Sequence, residues 1–552
     1  MKTLTGKSIC FWISLFLINL ATSGITLGAE PAFTHGVASG DVTDESAVLW
    51  TRVNRKSKVK VEVAYDPSFN VIIFKDKKKA RAKNDFTVKF FPDDLPANRT
   101  LYYRFHAGKQ TSETGTFKTA PYPTTWADLK FAYSADSDSF HVNPDNGFLF
   151  NNFAVLNAVR AEQPDFFVYL GDTIYADGIF RTIFLGLDPS TTLKQYRADY
   201  KQNRDVTALA ELMRSTSIIA AWDDHEIHDN WAGASVDRKQ FRDGRKAFLE
   251  YMPMVEKFRI KGDDYDADED GDDLGEDEGK DKTCAGDPLV RVFKWGRDVE
   301  IIALDERSCR SDSVILSCTI PGAPLPDLAP TLPESVRLEF PFNQFVTPSP
   351  PPGCLDAIRD PSRTMLGNRQ KKFLKKRLLH SDATYKVILN QVGMQQLFAL
   401  PYDRWEGYEA ERKEILNFIR DNNIENVIFL TTDLHSNIMN EVAIDGFTDP
   451  EPIAFEAITG PISTFTWAQE IELTTGTPLA VDVFNLLTFQ VGVNCRNNNT
   501  DAYGVFEYDA ITGEAQITLK DSLGNVIQDE VIPGVDCKQK FGISPVHLVR
   551  GR

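Results

Sequence analysis

Four polar clusters each follow an apolar stretch: Tyr133-Ser134-Ala135-Asp136-Ser137-Asp138, Tyr169-Leu170-Gly171-Asp172-Thr173-Ile174-Tyr175, Trp222-Asp223-Asp224-His225-Glu226 and Thr432-Asp433-Leu434-His435-Ser436. In open α/β sheets ligands bind at the carboxyl ends of strands, so side chains placed there share one rim. Taken singly, an Asp after a strand reads as a helix cap or a turn former. Asp223-Asp224-His225-Glu226 resists that reading, because adjacent like charges beside an apolar strand are unfavourable unless a cation offsets them. Carboxylates and imidazoles without thiolates suit calcium, manganese, iron or zinc. Paired cations bring the pKa of water from about 15.7 to about 7 and stabilise both oxygens of an in-line displacement. An imidazole, with an unperturbed pKa of about 6.5, suits protonation of the leaving group. A serine nucleophile fits less well: Ser134, Ser137, Ser139 and Ser436 lie close by, but none sits in a Gly-x-Ser-x-Gly elbow.

Alternating apolar strands and helical patterns must position these clusters. The strands read as Leu129 to Ala135, Phe166 to Leu170, Ser217 to Trp222, Val299 to Leu304, Tyr385 to Leu389 and Val427 to Leu430. The helices read as Asn151 to Glu162, Thr192 to Tyr200, Arg238 to Tyr251, Asn368 to Leu379 and Tyr408 to Asp421. This texture predicts an α/β layered domain over 127–545. Three short strands from Gly504 to Ile532 are expected to complete a second sheet. Short alternating runs over 30–120 predict a small N-terminal β-sandwich, and the prolines of 121–126 mark a linker. An acidic insert at 263–281 and a Pro-rich insert at 321–352 read as solvated loops. Asp266, Asp268 and Asp270 open a calcium-loop pattern, but Asp277 stands where such loops end in Glu.

Lys2 and Lys7, the apolar run Ile9 to Leu20 and small residues up to Ala29 read as an export signal over 1–29, cleaved between about Ser23 and Ala29. Secretion to the periplasm or the exterior follows, with no stable membrane anchor. Cys10 would leave with the signal; Cys284, Cys309, Cys318, Cys354, Cys495 and Cys537 then favour disulfides, and nearness along the chain suggests Cys309–Cys318 and Cys495–Cys537. Asn98 and Asn498 each open a glycosylation triplet. The net charge of −18 argues against a nucleic-acid partner, sequence-specific or otherwise. A monomer acting on a small phosphate ester is the expectation.

The motifs resemble those of the PhoD-like alkaline phosphatases and phosphodiesterases, a branch of the metallophosphoesterases. Phe33-Thr34-His35-Gly36-Val37-Ala38-Ser39-Gly40-Asp41 and Val48-Leu49-Trp50-Thr51-Arg52 resemble the opening of that family's sandwich. Gly171-Asp172-Thr173-Ile174-Tyr175, Asp223-Asp224-His225-Glu226 and Asp433-Leu434-His435 resemble its catalytic motifs. The resemblance implies two layered β-sheets flanked by helices and two or more metal ions, iron and calcium among them. It implies that Asp172 bridges both metals, that Tyr175 and His435 bind the first, and that Asp224 and Asp433 bind the second. His225 would contact substrate or protonate the leaving group. The family often places Cys where this chain has Asp136, and the wider superfamily has Asp-x-His where this chain has Asp136 and Asp138. The first metal therefore stays open between iron, manganese and zinc. Asn390 follows a strand where the superfamily supplies a further His; its amide oxygen would ligate weakly or hydrogen-bond the phosphate. Two other readings remain: a calcium-dependent binding protein with a degraded metallophosphoesterase site, and a phospholipase D-like phosphodiesterase.

Overall fold

The computed structural model describes residues 30–143, 147–148, 150–178, 186, 188–256, 284–323, 325–338, 346–478, 481–482, 484–485 and 493–542. The expected export signal and the acidic insert with Asp266, Asp268 and Asp270 lie outside them.

Two sheets pack face to face. The first has nine strands in the order Lys538–Phe541, Ala515–Asp521, Ala502–Tyr508, Leu129–Ser134, Phe166–Leu170, Ser217–Ala221, Phe33–Gly40, Val48–Val53 and Thr87–Phe90. The second has seven: Arg291–Trp295, Val299–Ala303, Tyr385–Asn390, Val427–Thr431, Ala454–Ile458, Asn437–Val442 and Val493–Asn497. The middle strands of both run parallel. Those strands are mainly apolar because both of their faces are covered, with Lys130, Glu300, Lys386 and Glu456 as the charged exceptions. Phe131, Val168 and Leu170 from one sheet meet Ile301, Val387, Leu389 and Leu430 from the other in a shared core. On the outer face of the first sheet lie the helices Ala154–Ala161, Leu193–Asp205, Thr207–Ser215 and Arg238–Tyr251; on that of the second lie Gly367–His380 and Glu409–Asp421. The result is the layered α/β architecture expected from the sequence.

Several expectations need correction. The N-terminal strands do form a sandwich, with a five-stranded sheet built on Ser57–Ala64, Ile72–Ala80 and Thr100–Ala107, but its other face is not its own. Phe33–Gly40 pairs in parallel with Ser217–Ala221 through Gly40 and Ile218, so the sandwich and the layered domain share one sheet. The described residues from Pro31 onward therefore make one compact unit, and the 121–126 segment is tied down within it, the Thr125 carbonyl accepting from Arg297 N at 2.9 Å. Of the three strands expected from Gly504 to Ile532 two form, Ala502–Tyr508 and Ala515–Asp521; they extend the first sheet beside Leu129–Ser134, not the second, and its edge strand Lys538–Phe541 lies beyond the expected range. Ile72–Ala80, IIFKDKKKA, escaped the sequence reading because its lysines look like a solvated charge run.

Cys495–Cys537 is a disulfide as expected, whereas Cys309 pairs with Cys284 and Cys318 with Cys354. Nearness along the chain misled, because Cys318 packs with Val314, Ile358 and Tyr402 in a buried cluster that the Cys354–Ile358 helix closes. Disulfides suit an extracellular or periplasmic setting. No helix among the described residues is long and apolar enough to cross a membrane. Of the two glycosylation triplets, Asn98 is exposed and Asn498 is buried.

Leu389 is fully buried between the sheets. Leu389→Ala is expected to lower stability by about 3–5 kcal/mol through the cavity it leaves, measured by urea denaturation; a loss below about 1 kcal/mol would contradict face-to-face packing at this point.

Candidate metal centre

All four sequence clusters fall where central strands end, on one rim between the sheets. Leu129–Ser134 delivers Asp136, Phe166–Leu170 delivers Asp172 and Tyr175, Ser217–Ala221 delivers Asp223 to His225, and Val427–Thr431 delivers Asp433 and His435. The turns that carry them are tight. Asp136, Asp172, Asp433 and His435 all have left-handed backbone, with φ of 62°, 45°, 65° and 53°, a conformation that costs free energy for residues with a Cβ. Gly171, at φ 108°, admits the Asp172 turn: a Cβ there would lie 2.7 Å from the Asp223 Cβ. Gly460, at φ 133°, does the same beside Asp136, whose Oδ2 a Cβ would meet at 2.7 Å.

Hydrogen bonds stitch the turns together. Glu226 is fully buried and accepts from Thr173 N and Oγ1, both at 2.6 Å, and from Asp223 N at 2.9 Å. It braces two loops and does not face the cleft. Ser137 N and Ser463 N donate to the Asp172 and Asp136 carbonyls at 3.0 Å each, and Thr432 Oγ1 donates to the Leu170 carbonyl at 2.9 Å.

Among the described residues, three groups of donor atoms could each hold a cation, every atom within 4.8 Å of the others: Asp136, Asp172 and His435; Asp172, Asp224 and His225; Asp223, Asp224 and Asp433. Asp172 belongs to two of them. The Tyr175 hydroxyl lies 2.8 Å from His435 Nε2, and Asp136 Oδ1 lies 3.9 Å from the same nitrogen, so these donors converge. Both Asp136 oxygens are buried without a hydrogen-bond partner, as is Asp223 Oδ2. Buried polar atoms left bare are costly, and a cation would satisfy them. These residues fit a metal pair.

Electrostatics agree. Burial pushes Asp172 and Asp433 well above the ordinary carboxylate range, with neighbouring carboxylates adding to it, and pushes Asp136 up to about 7. Burial would raise Asp224 too, but the Arg307 guanidinium and the His225 imidazole hold it below that range. Burial opposes the charged form of His435, yet Glu470, 2.9 Å from Nδ1, raises it to about 9. His225 is likewise raised, against its burial, by Asp224, Asp172 and Asp177.

A cleft of about 260 Å³ opens over the rim, lined by Asp172, Asp224, His225, Asp433 and His435 together with residues that the sequence reading missed. Among the latter, Asp403 and Arg404 lie in the connection between the strand Tyr385–Asn390 and the helix Glu409–Asp421, Asn230 donates its backbone N–H to Asp224 Oδ2 at 2.5 Å, and Glu470 orients His435. Asp177, two residues beyond Tyr175, holds His225 Nδ1 at 2.6 Å. Arg307 is fully buried. It donates to Asp223 and lies 2.8 Å from Asp403, 3.5 Å from Asp433 and 3.8 Å from Asp224. Asp305-Glu306-Arg307 follows the strand Val299–Ala303 as the other clusters follow theirs, so the same strand-end rule could have found it.

Two expected site residues are not brought in. Asn390 is buried beneath the rim, its Oδ1 accepting from Trp405 Nε1 at 3.0 Å and its amide nitrogen donating to Thr431 Oγ1 at 3.3 Å. It is therefore engaged in the core, away from the cleft. Asp138 stands past the Ser137–Ser463 bridge with its Oδ2 over Gly178, outside the three donor groups.

The PhoD-like phosphatase family model matches residues 142–517, and its N-terminal-domain model matches 20–121. The chain belongs to the PhoD-like phosphatase family. It is by that membership a phosphoric ester hydrolase. Alkaline phosphatase D of Bacillus subtilis (strain 168) is 27% identical over 474 residues, 80% of this chain and 70% of that protein. A solved structure of PhoD aligns with a TM-score of 0.70 at 21% identity, covering 94% of this chain and 91% of that one. The purple acid phosphatase PPD1 of yellow lupin (Lupinus luteus) seeds aligns with a TM-score of 0.50 at 10% identity, over 95% and 76% of the two chains. Both structures share the fold of this PhoD-like chain.

Removing one partner of a buried ion pair strands the other charge. Arg307→Met is therefore expected to cost about 3–5 kcal/mol, read from urea denaturation. A near-neutral result would mean that Asp223 and its neighbours are held by something other than Arg307.

Proposed function

We propose that this chain is a metal-dependent phosphoesterase that hydrolyses phosphomonoesters, phosphodiesters or both. Asp136, Asp172, Tyr175 and His435 would hold one cation; Asp172, Asp224 and Asp433 would hold the other. The observation that carries the reading is the convergence of these donors on one rim, with both Asp136 oxygens buried and unpartnered. Phenolate, imidazole and carboxylate together suit iron, manganese or zinc, and the carboxylate set suits calcium. When bound, the cations would supply an activated water and neutralise charge on the phosphoryl oxygens.

The chain's own residues do the rest. Asp177 fixes His225 through Nδ1, and the Tyr175 ring stacks on the imidazole at 4.2 Å between centroids, which leaves Nε2 for the cleft. From there His225 donates a proton to the departing oxygen. Arg307 restrains Asp223, Asp224 and Asp433 against their mutual repulsion, so that the donors are in place before a cation arrives. Leu400, Leu434 and Trp467 supply the apolar part of the cleft wall. The three disulfides support work outside the cytosol, with export directed by residues 1–29.

Asp172→Asn removes the carboxylate common to two donor groups. It is expected to abolish turnover of p-nitrophenyl phosphate and its bis-ester, and to lower the metal content in elemental analysis, while leaving the circular dichroism unchanged; wild-type turnover would overturn the metal reading. His225→Ala is expected to slow esters with poor leaving groups by ~10²–10⁴-fold and to spare those with good ones. Equal loss for both classes would remove His225 from the proton-donor role.

A further inference from the structure

The five-stranded sheet carries a charge arrangement that its own folding does not explain. Ser57–Ala64 and Ile72–Ala80 pair antiparallel, with Lys58 opposite Lys79, Lys60 opposite Lys77 and Glu62 opposite Lys75. All five lysines are exposed. Like charges directly opposite each other destabilise a strand pair. The neighbouring strand sets Arg104 opposite Glu62 and His106 opposite Lys60. Glu62 is already occupied by Arg104 at 2.8 Å, His106 at 3.2 Å and Lys75 at 3.5 Å. Lys58, Lys60, Lys77 and Lys79 have no ion-pair partner among the described residues.

Lysines on an edge strand guard against edge-to-edge pairing, and Ile72–Ala80 is such an edge. Lys58 and Lys60 are not covered by that explanation, because Ser57–Ala64 is paired on both sides. The face is also cationic on a chain whose net charge is −18.

We propose that this lysine face docks the protein on a membrane surface rich in anionic phospholipid. Strands lie about 4.8 Å apart and like-facing residues about 6.7 Å apart, so the ammonium groups form a two-dimensional array suited to a sheet of headgroups. Lysine is a hydrated point charge without the fork of arginine, and no aromatic ring stands between the facing lysines Lys58, Lys60, Lys77 and Lys79, Tyr102 lying on the next strand opposite Ala64, whereas single-stranded nucleic acid stacks on interleaved rings. Arg104, the one arginine, is spent on Glu62 and lies over the Phe69 ring. The tip of the same hairpin exposes Tyr65 and Val71, at 46% and 55%. A tyrosine beside an apolar side chain suits the interfacial zone of a bilayer, whereas a soluble polyanion offers them nothing. The net negative charge of the chain as a whole favours approach by this cationic face. Contact is peripheral and electrostatic, and it holds the enzyme at a surface independently of the hydrolytic chemistry.

The test is co-sedimentation of the full chain with vesicles of equal phosphatidylglycerol and phosphatidylcholine, against phosphatidylcholine alone, at low and high salt. The wild type should bind only the anionic vesicles and be released by salt. Lys60→Gln/Lys77→Gln should bind roughly thirtyfold more weakly, keep wild-type turnover of p-nitrophenyl phosphate and melt no lower. Lys58→Gln/Lys79→Gln serves as the second pair. Absence of binding to anionic vesicles at low salt, undiminished binding by both variants, or retention on linear polyphosphate without vesicle binding would each overturn the proposal.

Discussion

Repulsion among carboxylates gathered at the rim between the two sheets is the constraint on which the rest of this structure depends. Asp136, Asp172, Asp223 and Asp224 are removed from water by burial and Asp433 is largely so, and in that setting each charge disfavours the next. Folding offsets this with the buried Arg307 among four carboxylates, with Arg310 beside Asp403, and with backbone N–H donors such as Asn230 and His225. These offsets are incomplete, as the bare oxygens of Asp136 and Asp223 show. The remaining imbalance is what makes the rim receptive to further positive charge.

Holding the donors in register also costs backbone free energy. Four candidate ligands sit in the left-handed region, which costs of order 1–3 kcal/mol each for a non-glycine residue. Such turns persist only when their surroundings over-determine them. Here the parallel strands fix where each turn begins, the Glu226 brace and the Thr432–Leu170 bond fix where it goes, and Gly171 and Gly460 clear the space. Rigidity at the sheet thus becomes precision at the site.

The N-terminal strands extend this frame. Because Phe33–Gly40 continues the sheet that carries Asp136, Asp172 and Asp224, the sandwich is built into the layered core, and its second sheet is free to present a lysine face outward. Those lysines hid their strand from sequence reading. A run such as KDKKKA has strand geometry only because Ser57–Ala64 offers it a ladder of hydrogen bonds.

The sequence by itself determined the apolar strands, the polar cluster at the end of each, and so the layered fold and most of the candidate ligands, since strand burial and strand-end chemistry are local and periodic. It could not decide which of those polar residues turn toward the cleft. Asn390 and Asp172 both follow apolar strands, yet the Asn390 amide is claimed by Trp405, fifteen residues away in sequence. Arg307 becomes part of the site only because two sheets pack face to face, and Cys318 finds Cys354 only because their cluster closes in space. Long-range contacts of this kind depend on how layers meet, and that is set by the packing of the whole chain, not by the pattern within any one segment.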